Sequence, residues 1–233
     1  MNVEKIEAYR KEFHKRYPAA KLQQDFKLKY IYNSALLDGG SLSAADVEMV
    51  MNGAEALADK SMTEMLEVKG HLSAYDYLFL QAETRRLSAD LALNFHQLLY
   101  QEADLTQAGC FRLYEAMAPG SLHTSCTPQR IGIELMRLTE WVNDERGKYH
   151  PVELAAQLHK RFAFIRPFNI GNGKVARLLM NLVLLQDGYP PAIIAPSEKK
   201  EYYALLEEAR RDDKPFVNFI ARQVLNAEQA AVV

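Results

Sequence analysis

Apolar residues recur at three- and four-residue intervals along most of the chain, which is the spacing of an amphipathic helix. The breaks between these stretches fall at glycine, proline and short polar clusters. The pattern predicts helices over residues 26–37, 66–86, 88–100, 128–143, 151–165, 174–186, 197–211 and 215–226. Ser43 followed by Asp46 is typical of a capped helix start, and Ser88 is predicted to cap another helix. Residues 109–128 carry two glycines and two prolines without a helical period, which predicts a loop or hairpin.

The predicted helix 174–186 is apolar nearly all round, which is typical of a helix buried at the centre of a domain. Between residues 175 and 185 its polar side chains are Arg177 and Asn181. These two residues are four positions apart, so they share one face of the helix. That face continues back to the Gly171-Asn172-Gly173 turn that opens the helix.

This turn has the features of an anion-binding site. The first amides of a helix have no partners within the helix, and glycines allow them to converge on a ligand. The positive end of the helix dipole adds to the attraction, and Lys174 and Arg177 bring two charges close to it. The alternative is a tight turn without a ligand, with Arg177 paired to an interior acid.

Composition and charge indicate which kinds of ligand and partner the chain is not expected to bind. The chain has 233 residues, and 28 basic against 30 acidic side chains leave a net charge of −2. That balance does not favour binding to nucleic acid. Cys110 and Cys126 are too few for a disulfide framework or a four-cysteine zinc site, and no apolar run is long enough to span a membrane. We therefore expect a cytoplasmic protein that binds neither nucleic acid nor membrane.

The segment 158–181 resembles the signature region of the Fic family, His-Pro-Phe-x-Asp/Glu-Gly-Asn-Gly-Arg-x-x-Arg. Here the corresponding run is Arg166-Pro-Phe-Asn-Ile-Gly-Asn-Gly-Lys-Val-Ala-Arg177. Residues 109–112 and 123–128 resemble the ends of the family's target-docking flap, and residues 34–39 resemble its inhibitory motif, Ser/Thr-x-x-x-Glu-Gly/Asn. The resemblance implies an all-α, Fic-type helical fold around a central buried helix, with a small β-hairpin flap. It also implies a single domain over residues 1–233, with N-terminal helices in 1–60 and the Fic core in 88–226.

Fic proteins transfer AMP from ATP, with magnesium, to a hydroxyl group of a target protein, and the resemblance implies roles for individual residues here. The implied nucleotide or phosphate ligands are Gly171, Asn172, Gly173, Lys174 and Arg177. Phe168 and Asn181 are implied to support the motif. The inhibitory segment would contain Ser34, Asp38 and Gly39, and the flap would contain His123, Thr124 and Ser125.

Several motif positions depart from the family. Arg166 stands where the family has the histidine that takes the hydroxyl proton, and an arginine stays protonated at any working pH. Ile170 replaces the acid that holds magnesium and offers no oxygen to a hard cation, so magnesium binding is not expected. Lys174 keeps the charge of the arginine it replaces but loses the bidentate fork. Asp38 is one methylene shorter than the family's inhibitory glutamate, which leaves its pairing with Arg177 open.

These departures predict a degenerate Fic-fold protein that binds ATP, another nucleotide or a phosphate anion without normal AMP transfer. The alternative is an active protein adenylyltransferase, or a related phosphate-group transferase, with a substitute base. His159 and His123 are the candidates for that base, although His159 is more typical of a helix-packing residue. A third hypothesis is a protein that binds partners and no nucleotide. A target or regulatory protein is the expected partner, and homo-oligomerisation stays open.

Overall fold

The structure of the chain, a computed structural model, describes residues 3–117 and 124–232. Within these ranges it consists of α-helices joined by short connections. The helices are α1 (Val3–Arg16), α2 (Ala19–Leu37), α3 (Ala44–Met51), α4 (Met62–Gln81), α5 (Asp90–Tyr100), α6 (Ile131–Glu145), α7 (Pro151–Ile165), α8 (Asn172–Gln186), α9 (Lys199–Glu208) and α10 (Lys214–Val232). The predicted all-α fold is confirmed.

Helix α8 lies at the centre of the fold, as its apolar sequence predicts. Its residues from Lys174 to Leu184 are buried. Helix α7 packs along it, and α2, α4 and α5 contact it from other sides. Because α8 is surrounded in this way, its N-terminus is held between α2 and the loop that follows α7.

The side chains that cap the helices agree with the prediction at α3 and differ from it at α4 and α5. The Ser43 hydroxyl accepts a hydrogen bond from the Asp46 amide, and the Asp46 carboxylate accepts one from the Ser43 amide, so the predicted capping box is confirmed. The prediction that Ser88 caps α5 is wrong, because Ala89 takes the N-cap position without a side-chain bond. Ser61 caps α4, which therefore begins at Met62 and ends at Gln81 instead of spanning 66–86.

The predicted flap lies between α5 and α6, and its described ends are paired. Met117 and Thr124 form an antiparallel bridge, and the Ser125 amide donates to the Ala116 carbonyl at 3.0 Å. His123 lies outside the described residues. No helix in residues 3–117 and 124–232 is long and apolar enough to cross a membrane.

Candidate phosphate-binding site

The Gly171-Asn172-Gly173 turn forms the N-terminus of α8. Gly171 is the N-cap residue in the left-handed region, with φ 73°, and a Cβ at this position would collide with the Tyr100 ring. Both constraints require glycine. In the described part of the chain, the amides of Asn172, Gly173 and Lys174 donate no hydrogen bond to protein. The turn therefore presents three free donors, at the end of a helix whose dipole favours an anion.

The Arg177 side chain reaches back from α8 towards this turn, as the direction of helical side chains requires. Its Nε donates to the Ser34 hydroxyl at 2.9 Å, and its Nη2 donates to the Ser34 carbonyl at 3.0 Å and to Asp38 Oδ2 at 2.8 Å. The residue is 2% exposed, and Nη1 is buried without a hydrogen-bond partner. Burial lowers the pKa of Arg177, but Asp38 and the nearby tyrosine side chains together outweigh burial, so the pKa is raised.

Asp38 covers the turn from the C-terminal end of α2. A Cβ built on Gly173 would lie 2.8 Å from Asp38 Oδ1, so the carboxylate rests directly over the glycine. The Tyr203 hydroxyl of α9 lies 3.2 Å from the same oxygen and 3.3 Å from the Leu37 carbonyl. The shorter acid thus reaches Arg177, which settles the pairing that the sequence left open. In this conformation the chain's own carboxylate closes the site.

Two asparagine side chains, those of Asn172 and Asn181, hold the backbone around the turn and α8. Asn172 Oδ1 accepts from the Phe168 amide at 3.0 Å, and Asn172 Nδ2 donates to the Phe168 carbonyl at 2.7 Å. Phe168 is fully buried and stacks on His96, with ring centroids 3.8 Å apart. Asn181 makes a similar pair of hydrogen bonds with the backbone of Ala192. Both polar atoms of the Asn172 side chain therefore bond to the loop backbone, and the backbone amide of Asn172 is its remaining free donor in the turn.

The Lys174 side chain contacts residues of α4 and α5. Its ammonium pairs with Glu67 at 2.5 Å and lies 5.3 Å from the centroid of the Tyr100 ring. Burial lowers the pKa of Lys174, but Tyr100 and Glu67 outweigh it and the net shift is upward. The implied role of the Lys174 side chain as a phosphate ligand stays a prediction, and in this conformation its charge is paired with Glu67.

Arg166 and Ile170 flank the turn at the positions where the family has its base and its acid. Arg166 is the C-cap residue of α7 in the left-handed region, with φ 49°, and its guanidinium has no ion pair or hydrogen bond within residues 3–117 and 124–232. Ile170 is exposed, and its carbonyl lies 3.2 Å from His96 Nε2. This donor set does not fit a protein-bound magnesium ion, because position 170 supplies no side-chain oxygen.

The environment of His159 does not suit a base for a protein hydroxyl. The ring is fully buried, packs between Tyr202 and Phe216, and places Nε2 2.8 Å from the Tyr202 hydroxyl. Burial, with a smaller effect of Arg177, lowers the pKa of His159 to about 3. The structure therefore agrees with a packing role for His159. As a base, the buried imidazole could not reach a hydroxyl group of another protein. No group of three or more His, Cys, Asp or Glu side chains in the described ranges is placed to hold a metal ion.

Sequence reasoning gave no role to three residues that shape the site: Glu67, Arg112 and Tyr203. Glu67 holds Lys174, Tyr203 contacts Asp38, and Arg112 bonds to the carbonyl of Arg166 at 2.7 Å. Each partner is at least 54 residues away along the chain. Local spacing carries no signal for such contacts, which only the packing of α4, α9 and the flap against α8 creates.

Comparison with known proteins agrees with this fold. The model of the Fic/DOC family matches residues 86–184. Protein adenylyltransferase fic-1 of Caenorhabditis elegans is 31% identical over 198 residues, which are 83% of this chain and 39% of that protein. Protein adenylyltransferase Fic of Aedes aegypti is 30% identical over 203 residues, which are 85% of this chain and 40% of that protein. The chain thus spans about two-fifths of the length of these relatives.

Solved structures share the whole architecture. A structure of C. elegans Fic-1 superposes with a TM-score of 0.86 at 29% identity, covering 97% of this chain and 69% of that one. A Fic-domain signalling protein from Bacteroides thetaiotaomicron gives 0.85 at 26% identity, covering 98% and 95% of the two chains. The similarity therefore extends beyond the signature region to the N-terminal helices.

Proposed function

Since the chain belongs to the Fic/DOC family, we propose that it binds the phosphates of a nucleotide at the N-terminus of α8 and lacks normal AMP transfer. One observation carries this proposal: a carboxylate of the chain itself, Asp38, rests over Gly173 beside free helix amides. A site that holds one oxyanion has the donors to hold another. Phosphate is the better match because several donors converge there.

Phosphate binding requires Asp38 to leave the turn. The donors then available are the amides of residues 172–174 and the Arg177 guanidinium, whose Nη1 already lacks a partner. Arg177 would keep its two bonds to Ser34, so it stays oriented while Asp38 is replaced by phosphate oxygens. Exchanging one anion for another preserves the charge balance around the buried guanidinium.

The residues at positions 166 and 170 are the reason why we propose that AMP transfer is lost. Arg166 cannot accept the proton of an attacking hydroxyl, and loss of a general base lowers a rate by roughly 10²–10⁴-fold. Ile170 cannot bind a divalent ion, so the chain offers magnesium no side-chain ligand there. The nucleotide we propose is ATP or another nucleoside polyphosphate, bound with little dependence on magnesium.

Calorimetric titration with ATP and ADP, with and without magnesium, tests the proposal. We expect Asp38→Ala to raise the affinity for either nucleotide about tenfold, because it removes the competing carboxylate. Asp144→Ala, which changes an exposed acid in α6, is the matched control and should leave the affinity unchanged. If neither the wild type nor Asp38→Ala binds nucleotide, the chain is better described as a partner-binding protein.

The second candidate is a working adenylyltransferase, and the names of the relatives favour it. Incubation with ATP labelled at the α-phosphate distinguishes the two proposed functions. Robust labelling of the chain or of added protein would contradict the proposal that the protein lacks AMP transfer. We expect no labelling from the wild type. We expect labelling to appear when Arg166→His and Ile170→Asp are combined with Asp38→Ala, since base, metal ligand and access are then all restored. Arg166→Gln in the same background is the control that lacks a base.

A further inference from the structure

Arg166 carries a positive charge that has no partner in the described part of the chain. The residue is half-buried, and no hydrogen bond or ion pair joins its guanidinium to residues 3–117 or 124–232. Buried charges in proteins are paired, because a charge leaves water only at a cost in free energy. An oxyanion that contacts the guanidinium would remove this cost.

The backbone of Arg166 is fixed from two directions. Its amide donates to the Phe162 carbonyl at 3.0 Å, and its carbonyl accepts from Arg112 Nε at 2.7 Å. Arg112 is fully buried, and in the described ranges its guanidinium bonds to carbonyl oxygens and to the Cys126 sulfur, with no acid among its partners. The end of α7 therefore holds two guanidinium groups whose charges are not balanced by a bonded carboxylate.

Tyr203 shows where the Arg166 guanidinium lies relative to the glycine turn. The Tyr203 hydroxyl is 3.2 Å from Asp38 Oδ1, the oxygen that rests over Gly173. The same tyrosine also interacts with Arg166: burial and the charge of Arg112 lower the pKa of Arg166, and Tyr203 opposes them. Because Tyr203 is a common neighbour of Asp38 and Arg166, the guanidinium lies on the side of the turn that Asp38 covers.

When Asp38 leaves the turn, positive charge is left on this side of the site. Arg177 then loses its carboxylate, and Arg166 has none to begin with. Phosphate groups of nucleotides are commonly balanced by magnesium held on protein carboxylates. The residues here do not fit that ion, because Ile170 offers it no oxygen and a neighbouring guanidinium repels it.

We propose that Arg166 gives the nucleotide phosphates the positive charge that magnesium would otherwise bring, so that the site takes a nucleoside di- or triphosphate without its metal ion. A guanidinium suits this role because it is a permanent cation whose planar fork donates two parallel hydrogen bonds to phosphate oxygens. Arginine at this position therefore binds phosphate where the family's histidine accepts a proton. This role rests on the proposed binding of a nucleotide at the turn.

Calorimetric titration of the full chain with ATP, in EDTA and in magnesium, tests whether the charge at position 166 and the metal replace each other. The Asp38→Ala chain is compared with the same chain carrying Arg166→Gln or Arg166→Lys, so that no carboxylate competes for the turn. In EDTA, Arg166→Gln should lower the affinity about tenfold, the effect of losing a charge-assisted hydrogen bond. In magnesium the loss should shrink to about threefold or less, because the metal already reduces the charge of the nucleotide.

Arg166→Lys should keep most of the affinity in both solutions, because the charge remains. Both substitutions leave the bond from Arg112 intact, since it reaches the backbone carbonyl of residue 166. Arg211→Gln, which removes an exposed arginine after α9, is the matched control and should bind ATP like the Asp38→Ala chain. A loss from Arg166→Gln that is equal in EDTA and magnesium, or no loss in either, would overturn the role of Arg166 and leave nucleotide binding at the turn standing. Absence of ATP binding to all of these chains would overturn both.

Discussion

Asp38 and Arg177 are 139 residues apart in the sequence, and their carboxylate and guanidinium meet at 2.8 Å over the N-terminus of the central helix. The contact joins the end of α2 to the first turns of α8. It places an anion of the chain in the position that we propose for a phosphate group. If phosphate binds as we propose, this pair has to open before the amides of the turn can contact a ligand.

Gly173→Ala is expected to leave the chain folded but to weaken ADP binding about tenfold or more. The new methyl group would lie 2.8 Å from Asp38 Oδ1 and 3.0 Å from Arg177 Nη1, in the space proposed for phosphate oxygens. Isothermal titration measures the affinity. Gly132→Ala, with nothing within 4 Å of the added carbon, is the control and should change stability by up to about 1 kcal/mol without changing affinity. An unchanged affinity in Gly173→Ala would mean that the phosphates bind elsewhere.

Tyr203→Phe is expected to loosen the closed conformation, because the lost hydroxyl contacts both Asp38 Oδ1 and the Leu37 carbonyl. Nucleotide affinity should rise severalfold, while unfolding in urea should show a loss of about 0.5–1.5 kcal/mol, the usual contribution of a hydrogen bond. Tyr149→Phe removes a hydroxyl outside the site and serves as the control. A fall in nucleotide affinity would instead indicate that the Tyr203 hydroxyl contacts the ligand.

The Lys174–Glu67 pair should respond asymmetrically to substitution. The side chain of Lys174 is 6% exposed and that of Glu67 is 32% exposed. Glu67→Gln leaves a buried ammonium without its carboxylate and should cost about 2–3 kcal/mol of unfolding free energy. Lys174→Met leaves the carboxylate close to water and adds a flexible apolar side chain, so it should cost less than about 1 kcal/mol.

Urea denaturation measures both variants, and Glu48→Gln, at an exposed position of α3, controls for the loss of one acid. If Lys174→Met destabilises the protein more than Glu67→Gln does, the expected asymmetry of this ion pair is wrong. A loss of nucleotide affinity in Lys174→Met without a loss of stability would restore it as a phosphate ligand.

Glu228 should make stability depend on pH. Its carboxyl group is fully buried in α10 without a hydrogen-bond partner. Burial raises the pKa of Glu228 to about 8, with a further rise from Glu7 and an opposing effect of Arg10. Between the ordinary pKa of 4.5 and about 8, the native state keeps a proton that the unfolded state loses. The contribution of this group to the unfolding free energy therefore falls as pH rises through that range.

Glu228→Gln should remove this pH-dependent fall in the unfolding free energy. The variant should match the wild type near pH 4.5 and exceed its unfolding free energy by roughly 1–3 kcal/mol near pH 9. Thermal or urea unfolding across that pH range measures the difference. Glu208→Gln, at an exposed position of α9, should follow the wild type at every pH. Parallel curves for Glu228→Gln and the wild type would show that the carboxyl group is solvated in solution.

Most helices could be predicted from the sequence because each depends on local spacing and caps. The apolar stretch from Val175, interrupted only by Arg177 and Asn181, predicted that α8 lies at the centre. The glycine turn before it predicted the free amides. The missed boundaries have a local cause that the pattern did not resolve: Ser61 starts α4 four residues before the apolar stripe becomes regular. The extent of one domain over residues 1–233 and a cytoplasmic location stay predictions.

What the sequence determined is the set of chemical groups: a turn with free amides, an arginine where a base is needed, and an isoleucine where an acid is needed. These follow from residue type, which packing cannot change. Only the tertiary structure decided which charges meet, because Asp38, Glu67, Arg112 and Tyr203 reach their partners across distant parts of the chain. The packing of the helices pairs Lys174 with Glu67 and Arg177 with Asp38, and within the described residues it brings no acid to Arg166. A buried charge is compensated only by a partner that the tertiary structure places within reach.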